Sequence, residues 1–322
     1  MAGITGQGTT FNLPNYVGDL FELTPSDTPF LSLIGGLSGG ESTTSPTFQW
    51  QAYDLRSAGQ NVALEGASAP TAEARVRANY YNICQIHQEV IEVSYSKLAA
   101  IGAFSGENIQ GDNPVTNEMD FQVEQMLKQI ARDAEYSFLQ GTFQDPSDNT
   151  SERQTRGILA AAGNVKYNDD AGDGTGTDQA LTEDAVLDLM QLIWEDGGIA
   201  VSETATLMAN ANVKRQLTDI FVTDKNYREE SRNVAGVNVQ TIETDFGKVN
   251  VLLNRHMPTT ELVVVSAELC SPVFMNVPDK GFLFVEPLAK DGASEKFQIY
   301  GEIGLKYGNP NAHGKITDIA AV

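Results

Sequence analysis

Histidine and cysteine are almost missing from this chain, with three and two residues respectively in 322. Cys84 and Cys270 lie far apart and lack C-x-x-C spacing, so they read as buried free thiols, not as zinc ligands or a redox pair. His87, His256 and His313 have no histidine four residues on and no local cysteine or carboxylate set, which leaves no metal-ligating motif. Cationic residues are scarce too: 21 Lys plus Arg stand against 43 Asp plus Glu, a formal net charge of −22, and no lysine precedes Lys97. A chain that grips nucleic acid is normally basic, because neutralising phosphates drives that binding. This balance argues instead for solubility, beside nucleic acid at most. No apolar run approaches the ~20 residues that span a bilayer. The opening "MAGITGQGTTFNLP" has neither a basic start nor an apolar core of signal-peptide length, so a cytosolic origin without secretion is expected.

What is present is organised as arm, hairpin, helices, then strands. Residues 1–15 read as an extended arm. Tyr16, Val17, Leu20, Phe21 and Leu23 suggest a short helix broken by Pro25. Asp27 or Thr28 is placed to cap a second turn that has Pro29 in its first position, with Gly35 and Gly36 ending it. In "PTFQWQAYDLR" and "ARVRANYYNICQIHQEVIEVS" two strands flank a Gly/Ala/Ser-rich tip. Val76, Ala78, Tyr80, Cys84, Ile86 and Val90 share one parity. Arg75, Arg77, Asn79, Gln85, His87 and Glu89 share the other, so the first set is expected inside and the second wet. A lone two-stranded hairpin is marginal in water, and this one needs a partner surface.

From about Asn117 to Gln140 the chain reads as a long helix. Met119, Val123, Met126, Leu127, Ile130, Ala134 and Phe138 form its apolar stripe, and Gly141 stops it. A second helix follows Thr182, its N-cap, with Glu183 and Asp184 in the first turn and Leu181 and Val186 as a staple. "NANVKRQLTDIF" is a shorter third. "VNVQTIETDFGKVNVLLNR", "ELVVVSAE", "GFLFVEPLAK", "EKFQIYGEIGLKYG" and "KITDIA" read as strands. In the fourth of these, Phe297 to Tyr307 at odd positions form one buried side. There is no internal repeat, and the order of elements is that of an α+β fold.

Several stretches imitate chemical sites. "GLSGG", Gly36 to Gly40, has the G-x-S-x-G form of a nucleophile elbow, with Ser38 as nucleophile and His313 downstream. It lacks the preceding strand and following helix that hold such an elbow, so a serine hydrolase gives way to a plain turn. The Gly/Asp loop from Asn168 to Asp178 lacks the calcium-loop register and its distal glutamate. Lys248 and Lys315 follow glycine without a phosphate-loop sequence, and "GITGQG" has no strand before it. No catalytic, cofactor or metal residue is assigned. In "YGNPNAHGKI", Pro310 bars Asn309 from helix, Gly314 permits unusual backbone angles, and Asn309, Asn311 and His313 can bond nearby backbone. That describes a tight joint.

Taken together, "TPSDTPFLSLIG", Trp50 in the first hairpin strand, the long helix, "TDFGKVNVLLNRHMP" and "SEKFQIYGEIGLKYGNPNAHGKI" resemble the tailed-phage major capsid proteins of the Hong Kong 97-type fold. The resemblance spans most of the chain and is strongest over its last 80 or so residues. It implies an N-terminal arm (1–38), an extended loop (39–96) and a peripheral domain with a long spine helix (97–157). It further implies an axial domain (158–278), peripheral strands (279–307) and a return to the axial domain (308–322). The implied protein is no enzyme and needs no cofactor. It would assemble as homo-hexamers and homo-pentamers into an icosahedral shell in the host bacterial cytoplasm. That shell would enclose double-stranded DNA without specific binding, in a virion with a portal protein, a separate scaffold and a decoration protein, and with no membrane. An encapsulin-like compartment is the alternative within the fold. Some relatives join subunits by a lysine–asparagine isopeptide bond; the extended loop here has no lysine to supply one.

Overall fold

The computed structural model describes residues 25–99, 118–148, 150–199, 205–224, 230–234, 237–290 and 292–321. The first expected helix, around Tyr16 to Leu23, and the start of the long helix at Asn117 lie outside these. The chain divides into a larger unit (28–87, 131–283 and 301–322) and a smaller one (1–27, 88–130 and 284–300).

The larger unit is built on a seven-stranded sheet. In chain order its strands are β5 (Asn164–Tyr167), β6 (Ala205–Ala209), β7 (Glu230–Val234), β8 (Val237–Thr244), β9 (Gly247–Leu253), β10 (Leu262–Ser266) and β14 (Gly314–Thr317). They lie side by side as β5-β14-β10-β6-β9-β8-β7. The central strands are apolar on both faces. In β10, Leu262 and Val264 enter one core while Val263 and Val265 enter the other. β6 splits in the same way, Leu207 to one side and Met208 to the other, as does β9 with Val251 and Leu252. Continuous apolar runs such as "LVVVS" are what a sheet covered on both faces requires.

One cover is helix α5 (Glu183–Glu195) with α6 (Ala211–Thr218). As the sequence pattern predicts, Thr182 Oγ1 accepts from the Ala185 amide at 3.2 Å, and Ala185, Val186, Leu189, Met190 and Ile193 form the buried stripe. A π-helical turn, Asp219–Asp224, prolongs α6. The other cover combines the short helices α1 (Pro29–Leu33) and α4 (Ile158–Ala161) with the end of helix α3, which contributes Ala134, Phe138 and Leu139. Helix α3 runs Glu118–Gln140. Its expected stripe is buried at Ile130, Ala134 and Phe138, while Met119, Val123, Met126 and Leu127 are only half-covered.

Also in the larger unit, β1 (Glu41–Thr43) runs parallel to β11 (Ser271–Met275), and β11 runs antiparallel to the end of β13 (Ser294–Lys306). Strand β13 departs from the one-sided burial expected of it. From Gly301 to Leu305 both faces are covered, because Phe48 lies against Gly304 and Arg153 pairs with Glu302 at 3.0 Å. Strands β2 (Thr47–Tyr53) and β3 (Arg77–Ile83) form the expected hairpin, from Thr47↔Ile83 to Tyr53↔Arg77.

In the smaller unit, β4 (Gln85–Ser94) and β12 (Leu283–Pro287) accompany the first half of β13, and the short helix α2 (Tyr95–Ala99) follows β4. Gln88 Nε2 donates to Gln298 Oε1 at 3.0 Å, and Gln298 Nε2 to Glu286 Oε1 at 2.6 Å.

The parity expected for residues 75–90 fails. Val76 is exposed with the hairpin tip, ahead of any change of phase; after Cys84, Ile86 and Val90 are exposed, whereas His87, placed on the wet face, is buried, as are Ile91 and Val93. The cause is a break at Cys84. There the β2–β3 ladder ends, the Cys84 amide donates to Pro46 O at 2.7 Å, and β4 restarts against a different strand, β13. A one-residue shift of phase turns every later side chain to the opposite face.

Thr182→Ala removes the cap of α5 and should cost about 1 kcal/mol. Urea denaturation of the unassembled chain checks this, with Thr150→Ala on an exposed loop as a control near zero.

Candidate functional site: a rooted hairpin and its joint

The residues that imitate chemistry are not brought together. Ser38 is exposed on a turn closed by the Gly39 amide donating to Gly35 O at 3.0 Å; Gly35 and Gly36 supply the positive φ of +120° and +70° that it needs. His313 is fully buried, and both its ring nitrogens are committed to main chain. Nδ1 accepts from the Ser266 amide at 3.3 Å, and Nε2 donates to Tyr307 O at 2.6 Å. Burial holds its pKa below the ordinary histidine range. An imidazole so engaged has no lone pair left to serve Ser38 as a base.

The Asn168–Asp178 loop spends its carboxylates on its own backbone. Asp169 accepts from the amides of Gly172, Gly174 and Gly176 at 2.6, 3.1 and 2.6 Å, and Asp170 from Thr177 at 2.7 Å. Burial pushes the Asp169 carboxyl up, and those amide bonds outweigh it, leaving it below the ordinary range. Cys84 and Cys270 are buried free thiols. Burial, reinforced by Glu302, pushes Cys84 up to about 12. The same cause raises Cys270.

What the structure does assemble is a joint. Asn309 is extended and its side chain accepts from the Asn311 amide at 3.2 Å, opening a 3-10 turn over Pro310–Ala312. The expected reason for Gly314 is wrong. Its backbone is ordinary, and the positive φ (+60°) belongs to Gly308. Gly314 is needed for space, since a Cβ there would come within 2.8 Å of Leu189 and Ile193.

The joint holds separate parts of the larger unit at once. Ser266 Oγ donates to Ala312 O at 3.2 Å, tying it to β10. Trp50 Nε1 donates to Gly308 O at 2.6 Å, and its ring meets the fully buried Tyr307 ring edge-on at 4.8 Å. Phe48, Trp50 and Tyr80 continue as a ladder of rings along the hairpin, 6.1 and 6.5 Å apart. Fully buried Asn82 completes the root. Its Nδ2 donates to Leu305 O at 2.7 Å and Arg156 O at 3.1 Å, while its Oδ1 accepts from the Arg156 amide at 2.8 Å.

The other outlying segment is fixed by a charge. Thr28 is the N-cap of α1 but makes no capping bond with its side chain. Fully buried Glu135 does this work from α3, accepting from the Phe30 amide at 2.9 Å and the Leu31 amide at 2.6 Å. Asn254 Nδ2 donates to the same carboxylate at 2.5 Å, and Asn254 Oδ1 accepts from the His256 amide at 2.9 Å. The carbonyl of His256 in turn accepts from Gln140 Nε2. Asn82 and Glu135 were missed in the sequence. Asn82 shares the parity of Tyr80 and Cys84, a readable sign of burial, whereas Glu135 looks like any surface acid on a helix.

Beyond this root, nothing among the described residues of its own unit covers the hairpin. Residues 54–76 are exposed throughout, with Leu55 at 69%, Val62 at 81%, Leu64 at 85% and Val76 at 81%. The chain thus has a firmly anchored base and an apolar reach into solvent.

Residues 3–320 match the family model described as SU10 major capsid protein. The major capsid protein of Escherichia phage Phieco32 is 24% identical over 347 aligned positions, covering 91% of this chain and 90% of that protein. In fold, the chain is similar to the capsid asymmetric unit of cyanophage A-1(L), with a TM-score of 0.68 at 12% identity over 97% and 98% of the two chains. It is also similar to the SrpI encapsulin of Synechococcus elongatus PCC 7942, with a TM-score of 0.59 at 12% identity over 96% and 92%.

Glu135→Ala should orphan the Phe30 and Leu31 amides and cost about 3 kcal/mol or more. A lower urea midpoint and faster proteolysis near residue 28 would show it. Glu135→Gln, which keeps one acceptor, should lose less, and an unchanged alanine variant contradicts the anchor.

Proposed function

Since the chain belongs to the SU10 major capsid protein family, we propose that its copies gather as pentamers and hexamers whose extended hairpins overlie neighbouring subunits. The protein is a structural protein and not an enzyme, and it forms the icosahedral shell of a phage virion, with the α+β fold of Hong Kong 97-type capsid proteins. The observation that carries the finer reading is the hairpin. A two-stranded ribbon is marginal alone, yet this one projects Leu55, Val62, Leu64 and Val76 into water. Covering a large apolar side chain stabilises by ~1.5–3 kcal/mol, so four of them offer each neighbour a substantial contact. Shell contacts repeat around symmetry axes, so one surface of this kind serves every copy.

The domain assignment follows the same reading: arm 1–38, extended loop 39–96, peripheral domain 97–157 and 279–307, axial domain 158–278 and 308–322, with α3 as the spine. The half-covered Met119, Val123, Met126 and Leu127 on α3 give it further apolar surface to share. Double-stranded DNA is the proposed content. A net charge of −22 suits a wall that keeps DNA mobile and does not bind it. A portal protein, a separate scaffold and a decoration protein are the proposed partners, and their support is the family alone. Cage folds also serve encapsulins, and the family match favours the virus.

Electron microscopy of the purified protein should show closed shells. Replacing residues 55–76 by a short Gly/Ser linker should leave a folded chain that forms none, and shells of normal size from that variant would refute the hairpin's role. Mature particles should run as a single monomer band on a denaturing gel, because residues 39–96 contain no lysine to form an isopeptide; a ladder would contradict this.

A further inference from the structure

The larger unit contains two deeply buried imidazoles that are treated in opposite ways. His313 has both nitrogens paired with main chain. His87 is 6% exposed, and its Nε2 has no hydrogen-bond partner. It lies where β4 faces α3. Two residues before it, Gln85 Nε2 donates to Ser137 Oγ of α3 at 3.3 Å and Gln85 Oε1 accepts from the Thr155 amide at 3.3 Å. One helical turn before Ser137, Asp133 faces His87 and acts on it through charge. Next along α3 from Asp133 is Arg132, which has interactions of its own, and the Arg153–Glu302 pair lies close enough for both members to act on Cys84. Cys84, fully buried, sits three residues from His87 at the break between β3 and β4.

We propose that His87 is a proton-operated latch on the seam between β4 and α3, closed while the imidazole is neutral and opened locally when it takes a proton. A neutral ring tolerates this seat. An imidazolium has two N–H donors and a full charge, and the closed seam gives Nε2 nothing to donate to. Burial lowers the His87 pKa and Asp133 partly offsets that. The opened seam therefore binds the proton more readily than the closed one. The closed form keeps its full stability above the ordinary histidine value of about 6.5 and loses it as pH falls below.

Cys84 reports the opening. The full-length purified protein would be treated with dithiodipyridine, a thiol reagent that works in acid, from about pH 7.5 to about pH 5. Labelling at Cys84 and Cys270 would be measured separately by peptide mass spectrometry. Divided at each pH by the labelling rate of a small free thiol, which corrects for the falling thiolate fraction, Cys84 labelling should rise by about tenfold per pH unit below the ordinary histidine range, with Cys270 lagging behind. His87→Gln should flatten the response. Asp133→Asn, which removes the group that favours the charged ring in the closed seam, should leave the onset near the ordinary histidine value and let the rise continue further, so that labelling at about pH 5 exceeds that of the unaltered protein, and it serves as the second variant should His87→Gln fail to fold. A flat profile in the unaltered protein, the same acid response in His87→Gln, or a parallel rise at Cys270 would each overturn the latch. The readout is chemical and local, so it stands apart from whether the preparation forms shells.

Discussion

A neutral imidazole donates at one nitrogen and accepts at the other, and His313 does both to main chain, between the Tyr307 carbonyl and the Ser266 amide. That pair of bonds fixes the loop that turns β13 back into β14. Once it is fixed, the Gly308 carbonyl faces the Trp50 indole and the Tyr307 ring lies against it. The hairpin, the seven-stranded sheet and the cover provided by α5 all meet at ten residues near the end of the chain. An irregular segment so deeply buried survives only if its polar groups are paired, and here asparagine, serine and histidine side chains supply the partners that regular structure does not.

The fold can be seen as a division between what is held and what is offered. Glu135, Asn82 and the joint hold, each a buried polar group with several bonds across long stretches of sequence. The hairpin beyond Tyr53 offers exposed apolar side chains, with nothing among the described residues of its own unit over them. A shell subunit needs both properties. Contacts between subunits are useful only if the projecting element does not collapse onto its own base, and the ring ladder from Phe48 to Tyr80 resists that collapse.

Legibility followed periodicity. Helix α5 could be read from Thr182, Leu189 and Ile193, and β8 with β9 from the "TDFG" turn between two apolar runs, because each rests on local spacing. Strand β6, "ATLMA", has no such signal: five buried residues, four of them apolar, without alternation do not distinguish a strand from the helix that follows them. The phase shift at Cys84 was invisible for another reason. It depends on β4 changing its partner strand, a tertiary event that leaves no trace in the alternation before it. Glu135 carries no local signal at all, since its acceptors are used by residues more than a hundred positions away.

Glu135 recognises the start of α1 by its main chain, and peptide N–H groups are the same whatever side chains they bear. The chemical identity of residues around Phe30 is therefore constrained only by packing, and the acid itself by something stricter. Among distant descendants of this gene, the segment that begins α1 is free to drift through many apolar spellings, while the carboxylate opposite it has no synonym of equal reach and charge.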